Sequence, residues 1–145
     1  MNPIERFLAY AAAFEQTYVD DDWSRIEPFF TEDAVYAVYA VSLGPPLGGR
    51  WEGRAALIEH LREGVEQLDR RFDERRVEIV GAPSTGDDFV FFEWKGTYSK
   101  AGCPDLVFGG SERATFVGDR IRLLEDQMAA GSDVTIQEWV AQHLD

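Results

Sequence analysis

Leu106–Met128 reads LVFGGSERATFVGDRIRLLEDQM, two apolar-rich runs on either side of Gly118-Asp119. A tight Gly-Asp turn between segments rich in β-branched and aromatic residues predicts a hairpin, with strands over Leu106–Val117 and Arg120–Met128. Two acidic residues, Glu112 and Asp126, sit where these strands should be greasiest. A carboxylate on the buried face of a sheet is costly unless it is paired or kept neutral. Such a group is a candidate for acid–base work, because desolvation moves its pKa toward neutrality.

Working outward, Phe72–Ala82 and Phe89–Ser99 read as two further strands. Four consecutive strands with short connections predict an antiparallel meander. Upstream, Ile4–Tyr18 carries Phe7, Leu8, Ala11, Phe14 and Tyr18 at helical spacing, and Asp20, Asp21 and Asp22 end the pattern. Ser24 with Glu27 predicts a capping box opening a short second helix through Phe30, with Pro28 near its first turn. Thr31–Asp33 reads as a turn, Ala34–Val41 as a strand apolar on both faces, and Leu43–Arg54 as a loop rich in Gly and Pro. The loop glycines are scattered and no Lys-Ser/Thr follows them, so it is not a phosphate loop. Ala55–Leu68 is a third helix and Ser132–Leu144 a terminal one. Helices grouped ahead of a meander predict an α+β domain over residues 1–145: a cone-shaped, curved antiparallel sheet wrapped around N-terminal helices, with a central apolar cavity.

A net charge of −13 argues against nucleic acid and anionic membranes as partners, since both select basic surfaces. Cys103 is the only cysteine, which excludes an intramolecular disulfide and a thiolate metal cluster; its AGCPD context reads as an inert loop. The N-terminus lacks the pattern of a signal peptide, and no apolar run is long enough to span a membrane. A cytoplasmic protein is the default expectation. His60 and His143 have no second ligand at metal spacing, and His60 reads as a helix-surface residue. No metal or other cofactor is expected.

The run Tyr18–Tyr36 (YVDDDWSRIEPFFTEDAVY), with Gly53-Arg54 opening a helix and Phe116–Met128 (FVGDRIRLLEDQM) as the closing hairpin, resembles the nuclear transport factor 2-like superfamily. Within it, the chain is similar to the SnoaL-like members over nearly its whole length. The resemblance implies a cystatin-like roll. The superfamily includes ketosteroid isomerases, limonene-epoxide hydrolases, scytalone dehydratases, polyketide cyclases and proteins that only bind or assemble, so the fold alone specifies no reaction. In the ketosteroid isomerase pattern a first-helix Tyr falls on Phe14, the first-strand Asp base on Val38, and the second acid on Glu112. In the limonene-epoxide hydrolase pattern the strand Tyr matches Tyr36, and GPPLGGR matches the following loop. Its two acids match Glu112 and Asp126, whereas its Asn falls on Val38 and its bridging Arg on Gly110.

Glu112, Asp126 and Tyr36 are therefore the expected catalytic residues. Ala114 and Phe116 share the face of Glu112 by two-residue alternation; a rim carboxylate paired with a basic side chain is the alternative. Simple pairing across a two-residue Gly118-Asp119 turn sets Glu112 opposite Glu125, whereas a one-residue bulge sets it opposite Asp126. Tyr36 is either a hydrogen-bond donor to a substrate oxygen or a core tyrosine. The expected cavity lining is Phe14, Tyr18, Trp23, Val38, Phe92, Trp94, Phe108, Leu124 and Met128. The expected partner is a small apolar molecule, and the apolar outer strand faces predict a homodimer. Three functions remain: a cofactor-independent acid–base enzyme (isomerase, dehydratase, cyclase or epoxide hydrolase type), a binding or assembly module without chemistry, or a subunit docked to a larger enzyme.

Overall fold

The computed structural model describes residues 1–39 and 48–144. Helix α1 spans Pro3–Asp20. The Asn2 side chain accepts a hydrogen bond from the Glu5 N–H at 2.9 Å, and Pro3 occupies the first turn, where a missing N–H costs nothing. The helix ends where Asp21 turns left-handed, at φ 62°. Its buried stripe carries Phe7, Tyr10 and Thr17.

The expected second helix is a 3₁₀ segment, Trp23–Phe29, and the Ser24–Glu27 capping box does not form. Ser24 instead donates to the Asp22 carboxylate at 2.6 Å. Strand β1, Phe30–Tyr39, starts earlier than the sequence indicated, so the expected turn at Thr31–Asp33 lies inside it. Residues 40 and 41 of the expected strand, and 43–47 of the expected loop, lie outside the described residues. The rest of that loop contains a second strand, β2 (Gly49–Glu52), paired antiparallel with β1. Helix α2, Arg54–Gln67, follows, then a single 3₁₀ turn at Asp69–Arg71.

Four strands come next: β3 (Glu74–Thr85), β4 (Phe89–Ser99), β5 (Leu106–Val117) and β6 (Arg120–Met128). Helix α3, Ser132–His143, closes the described chain. The six strands form one curved, unclosed sheet in the order β2-β1-β6-β5-β4-β3. Every neighbouring pair is antiparallel except β1 and β6, which run parallel. The meander was expected; the parallel seam was not.

Alternation along the strands sends one face inward. Val90, Phe92, Phe108, Ala114, Phe116, Ile121 and Leu124 are buried there with Tyr36. All but Phe108 pack against Phe7 and Tyr10 of α1 and Leu57 and Ile58 of α2 to make the larger core. A smaller core under α3 joins Phe72, Tyr98, Leu106, Phe108, Ile136 and Trp139, and Trp94 touches both.

The β5–β6 hairpin carries the register that matters. Above, Phe116 pairs with Ile121; below, Thr115 pairs with Leu123, so Arg122 is an extra residue without a partner. This bulge advances the lower ladder by one position and sets Glu112 opposite Asp126, with Glu125 opposite Arg113 on the outer face.

Candidate active site

The sheet and helices form a half-open cavity of two lobes, about 610 and 540 Å³. Both lobes are lined by Phe14, Tyr36, Leu61, Trp94 and Asp126, so they meet beside the acidic residues. The first lobe runs toward α2 and α3, past His60, Phe108, Met128 and Ile136. The second runs between α1 and β3 and holds Glu112, Phe92 and Leu124. A mostly apolar hollow with a few convergent polar groups is the usual form of a small-molecule site.

β5 supplies Glu112, β6 supplies Asp126, and β1 supplies Tyr36, whose hydroxyl donates a hydrogen bond to Asp126 Oδ2. Tyr10 approaches the same group from α1 and is 5% exposed. Burial pushes Glu112 well above the usual carboxyl range; the neighbouring Asp126 charge pushes it further, and so does the proton it holds toward Asp126. Asp126 is also raised by burial, but donors on Glu112 and Tyr36 hold its anion down. The two acids therefore divide. Asp126 is the one that ionises first, and Glu112 the one that keeps its proton. Burial, with the two acids, also raises the Tyr10 and Tyr36 hydroxyls well above their ordinary value, so both remain donors. The arrangement can hold one base, one neutral acid and two hydroxyls around one point.

Of the residues expected to line the cavity, Phe14, Val38, Trp94, Phe108 and Met128 border the first lobe. Phe14, Phe92, Trp94 and Leu124 border the second. Tyr18 and Trp23 line neither. Tyr18 donates to the Asp69 backbone carbonyl at 3.3 Å under the Arg75 guanidinium, and Trp23 donates to Asp21 Oδ1 at 2.7 Å. Both hold the end of α1 in place, because each ring has found a local partner there.

A SnoaL-like domain family matches residues 8–130, most of the chain. The chain belongs to the SnoaL-like family. Among solved structures it is similar to TerC co-crystallised with polyporic acid, at 18% identity and TM-score 0.71, covering 96% of this chain and 98% of that one. It is also similar to a putative isomerase from Rhodopseudomonas palustris (15% identity, TM-score 0.72, 92% and 96% covered). A third is a protein with a ketosteroid isomerase-like fold from Catenulispora acidiphila, in complex with trimethylamine (15% identity, TM-score 0.60, 85% and 87% covered). At these identities the likeness establishes the shared nuclear transport factor 2-like fold. Comparison with curated proteins finds no match.

This SnoaL-like chain has a structural reason for lacking the arginine that the epoxide hydrolase pattern has near its two acids. Gly110 pairs with Trp94 on one side and Met128 on the other. A Cβ there would collide with the Gln127 carbonyl oxygen and press on Trp94 Cζ2 at 3.2 Å. The indole fills the space, and its Nε1–H is buried without a hydrogen-bond partner.

Two residues near the acids were not anticipated from sequence. Tyr10 lies three after Phe7 and four before Phe14 on α1, so the helical stripe itself carried the signal. His60, expected on the surface, is 8% exposed: its ring stacks on Trp51 at 3.3 Å and lies 5.7 Å from Tyr36. Burial lowers its pKa, which favours neutral imidazole. Strand β2 is what brings Trp51 over it.

A second polar group borders the cavity. Arg75 Nε lies 3.2 Å from Asp69 Oδ2, its Nη2 donates to Glu15 at 2.9 Å, and Tyr98 donates to Asp69 at 3.0 Å. Among the described residues, no group of three or more His, Cys, Asp or Glu is placed to hold a metal ion. Nor is any helix long and apolar enough to cross a membrane.

Proposed function

We propose that this SnoaL-like chain is a cofactor-independent acid–base enzyme acting on a small, largely apolar molecule. The observation that supports it is the Glu112–Asp126 pair under protein cover, with Tyr36 donating to Asp126. In this reading Asp126 accepts a proton from substrate carbon or water, and Glu112 returns a proton to substrate oxygen. Tyr10 donates a hydrogen bond to the charge that develops between those steps, and Tyr36 holds Asp126 in place through its own hydroxyl. Isomerisation, dehydration, cyclisation and epoxide opening all need this combination. Isomerase-like neighbours of the same fold are consistent with it.

A second reading, a ligand-binding module, is favoured by Val38 and Gly110, which stand where related enzymes carry a base or Asn and an Arg. The test is proton exchange in D2O with a panel of small enolisable ketones, β-hydroxy ketones and epoxides, following deuterium uptake and turnover. Wild-type exchange that disappears in Asp126→Asn supports the enzyme. A panel that binds, with no exchange or turnover above buffer, favours the binding module. We also propose a homodimer through the outer sheet face, where Phe91 and Val107 remain exposed; sedimentation at micromolar concentration tests it.

A further inference from the structure

Helix α2 buries one stripe of side chains, and His60 falls on it three residues after Leu57. Strand β2 pairs Trp51 with Tyr36 of β1. The Trp51 ring lies flat on the imidazole, 3.3 Å between centres and 9° from parallel, which fixes the orientation of His60. His60 borders the first lobe of the cavity together with Tyr36 and Asp126.

The other buried polar side chains on this lobe are accounted for. Tyr36 donates to Asp126, and Tyr98 donates to Asp69 at 3.0 Å. Gln67, Arg71 and Gln137 are exposed to solvent. Trp94 Nε1 lacks a partner but is fully covered. His60 differs from all of these. Among the described residues neither ring nitrogen has a hydrogen-bond partner, yet neither is fully covered, in a residue only 8% exposed. Burial favours neutral imidazole, which keeps one N–H donor and one acceptor nitrogen. A buried polar side chain that borders a cavity and has no protein partner is suited to a polar group of the ligand.

Tyr36 links this group to the acids. Its hydroxyl is bonded to Asp126, and its ring centre lies 5.7 Å from that of His60. A short, flat ring system laid beside Tyr36 can therefore reach both polar points. The rest of the lobe, with Phe14, Val38, Leu61, Phe108 and Met128, suits its apolar body.

We infer that His60 is a specificity-determining residue: its imidazole N–H donates to a second oxygen on a ring compound whose first oxygen lies at the Glu112–Asp126 pair. The inference rests on the ligand site of the proposed function but not on turnover there, so it holds for an enzyme or a binding module.

Three probes share one enolisable ketone and differ at the far end: 6-hydroxy-2-tetralone, 6-methyl-2-tetralone and 2-tetralone. Affinities are measured on the whole protein at pH 7 by calorimetry, for wild type and His60→Phe, whose ring can still stack on Trp51. The hydroxyl compound should bind wild type more tightly than the methyl compound. In His60→Phe the ratio of those two affinities should fall about fivefold, with 2-tetralone binding unchanged. Only His60 and His143 contribute imidazole signals, so ¹⁵N spectra give a second readout. The His60 ring nitrogens should shift with 6-hydroxy-2-tetralone far more than with the other two probes, and His143 with none. An unchanged ratio, an equal loss for all three probes, or no binding by any of them would overturn the inference. If His60→Phe does not fold, wild-type His60 nitrogens that respond alike to all three probes overturn it alone. Proton exchange that fails while the ratio behaves as expected counts against the enzyme and leaves the His60 contact standing. Exchange that proceeds with an unchanged ratio does the reverse.

Discussion

Glu112 faces Asp126 across the β5–β6 ladder because Arg122 is left unpaired three positions above Glu125. Without that extra residue the same count from the turn would have put Glu125 opposite Glu112. The acid that shares the inner face with Glu112 is therefore Asp126 and not Glu125, and burial of this pair gives stability a particular pH dependence. Both are raised above their ordinary values in the folded state, so folding favours their protonated forms. Their unfavourable contribution is absent below the unfolded values, roughly pH 4, and grows as pH rises toward the raised native values. Urea unfolding between pH 4 and 8 should show wild-type stability falling across this window by up to about 1.4 kcal/mol per pH unit per proton. Glu112→Gln should flatten the curve and be the more stable protein at pH 7. In ¹³C-carboxyl spectra Asp126→Asn should lower the Glu112 midpoint, since it removes the neighbouring charge, yet leave it above an exposed glutamate.

Gly110 is predicted to accept no side chain. Gly110→Ala drives a Cβ into the Gln127 carbonyl and onto the Trp94 ring, in the middle of two strand pairs that cannot both give way. Overpacking of this kind typically costs about 1–3 kcal/mol. Thermal unfolding should show a clear drop in Tm for Gly110→Ala, and Gly110→Arg should not accumulate as folded protein. A stable Gly110→Arg variant would contradict the packing described above.

The Asp69–Arg75 pair should be costly to break from one side and cheap to remove whole. Arg75 is 6% exposed at its side chain, and its guanidinium lies 4.5 Å from the centre of the Tyr18 ring. Burial already raises Asp69, and Arg75 opposes that rise. Arg75→Met leaves a buried carboxylate uncompensated, at a cost of about 3–5 kcal/mol by denaturant titration. Stability of the variant should fall more steeply with pH above roughly 4 than in wild type, because Asp69 rises further. Adding Asp69→Asn should recover most of the loss.

The helical stripe of α1 and the alternation in β4 and β5 are local patterns, and they were readable from the chain because each repeats several times within one element. Strand β2 was hidden: four residues, Gly49–Glu52, give too short a run for alternation to register within a Gly-rich stretch. The parallel seam between β1 and β6 is a contact between distant segments, for which single-sequence periodicity carries no signal. The bulge at Arg122 falls between those cases. Its consequence could be stated from the residues, but the choice of register depends on which side chains the core accepts. His60 was misread because Trp51 covers it, and Trp51 sits on the unforeseen strand.

The parallel seam gives the site a dependence on the whole chain. Tyr36 and Asp126, joined by a hydrogen bond, stand 90 positions apart, on strands that meet only along this edge. If β1 lifts away, Asp126 loses its Tyr36 donor and one wall of its shelter, and its acidity relaxes toward that of a free aspartate. The unusual proton affinity of the pair is thus a property of the assembled sheet, and a titration of Asp126 doubles as a gauge of whether the first and last strands are in register.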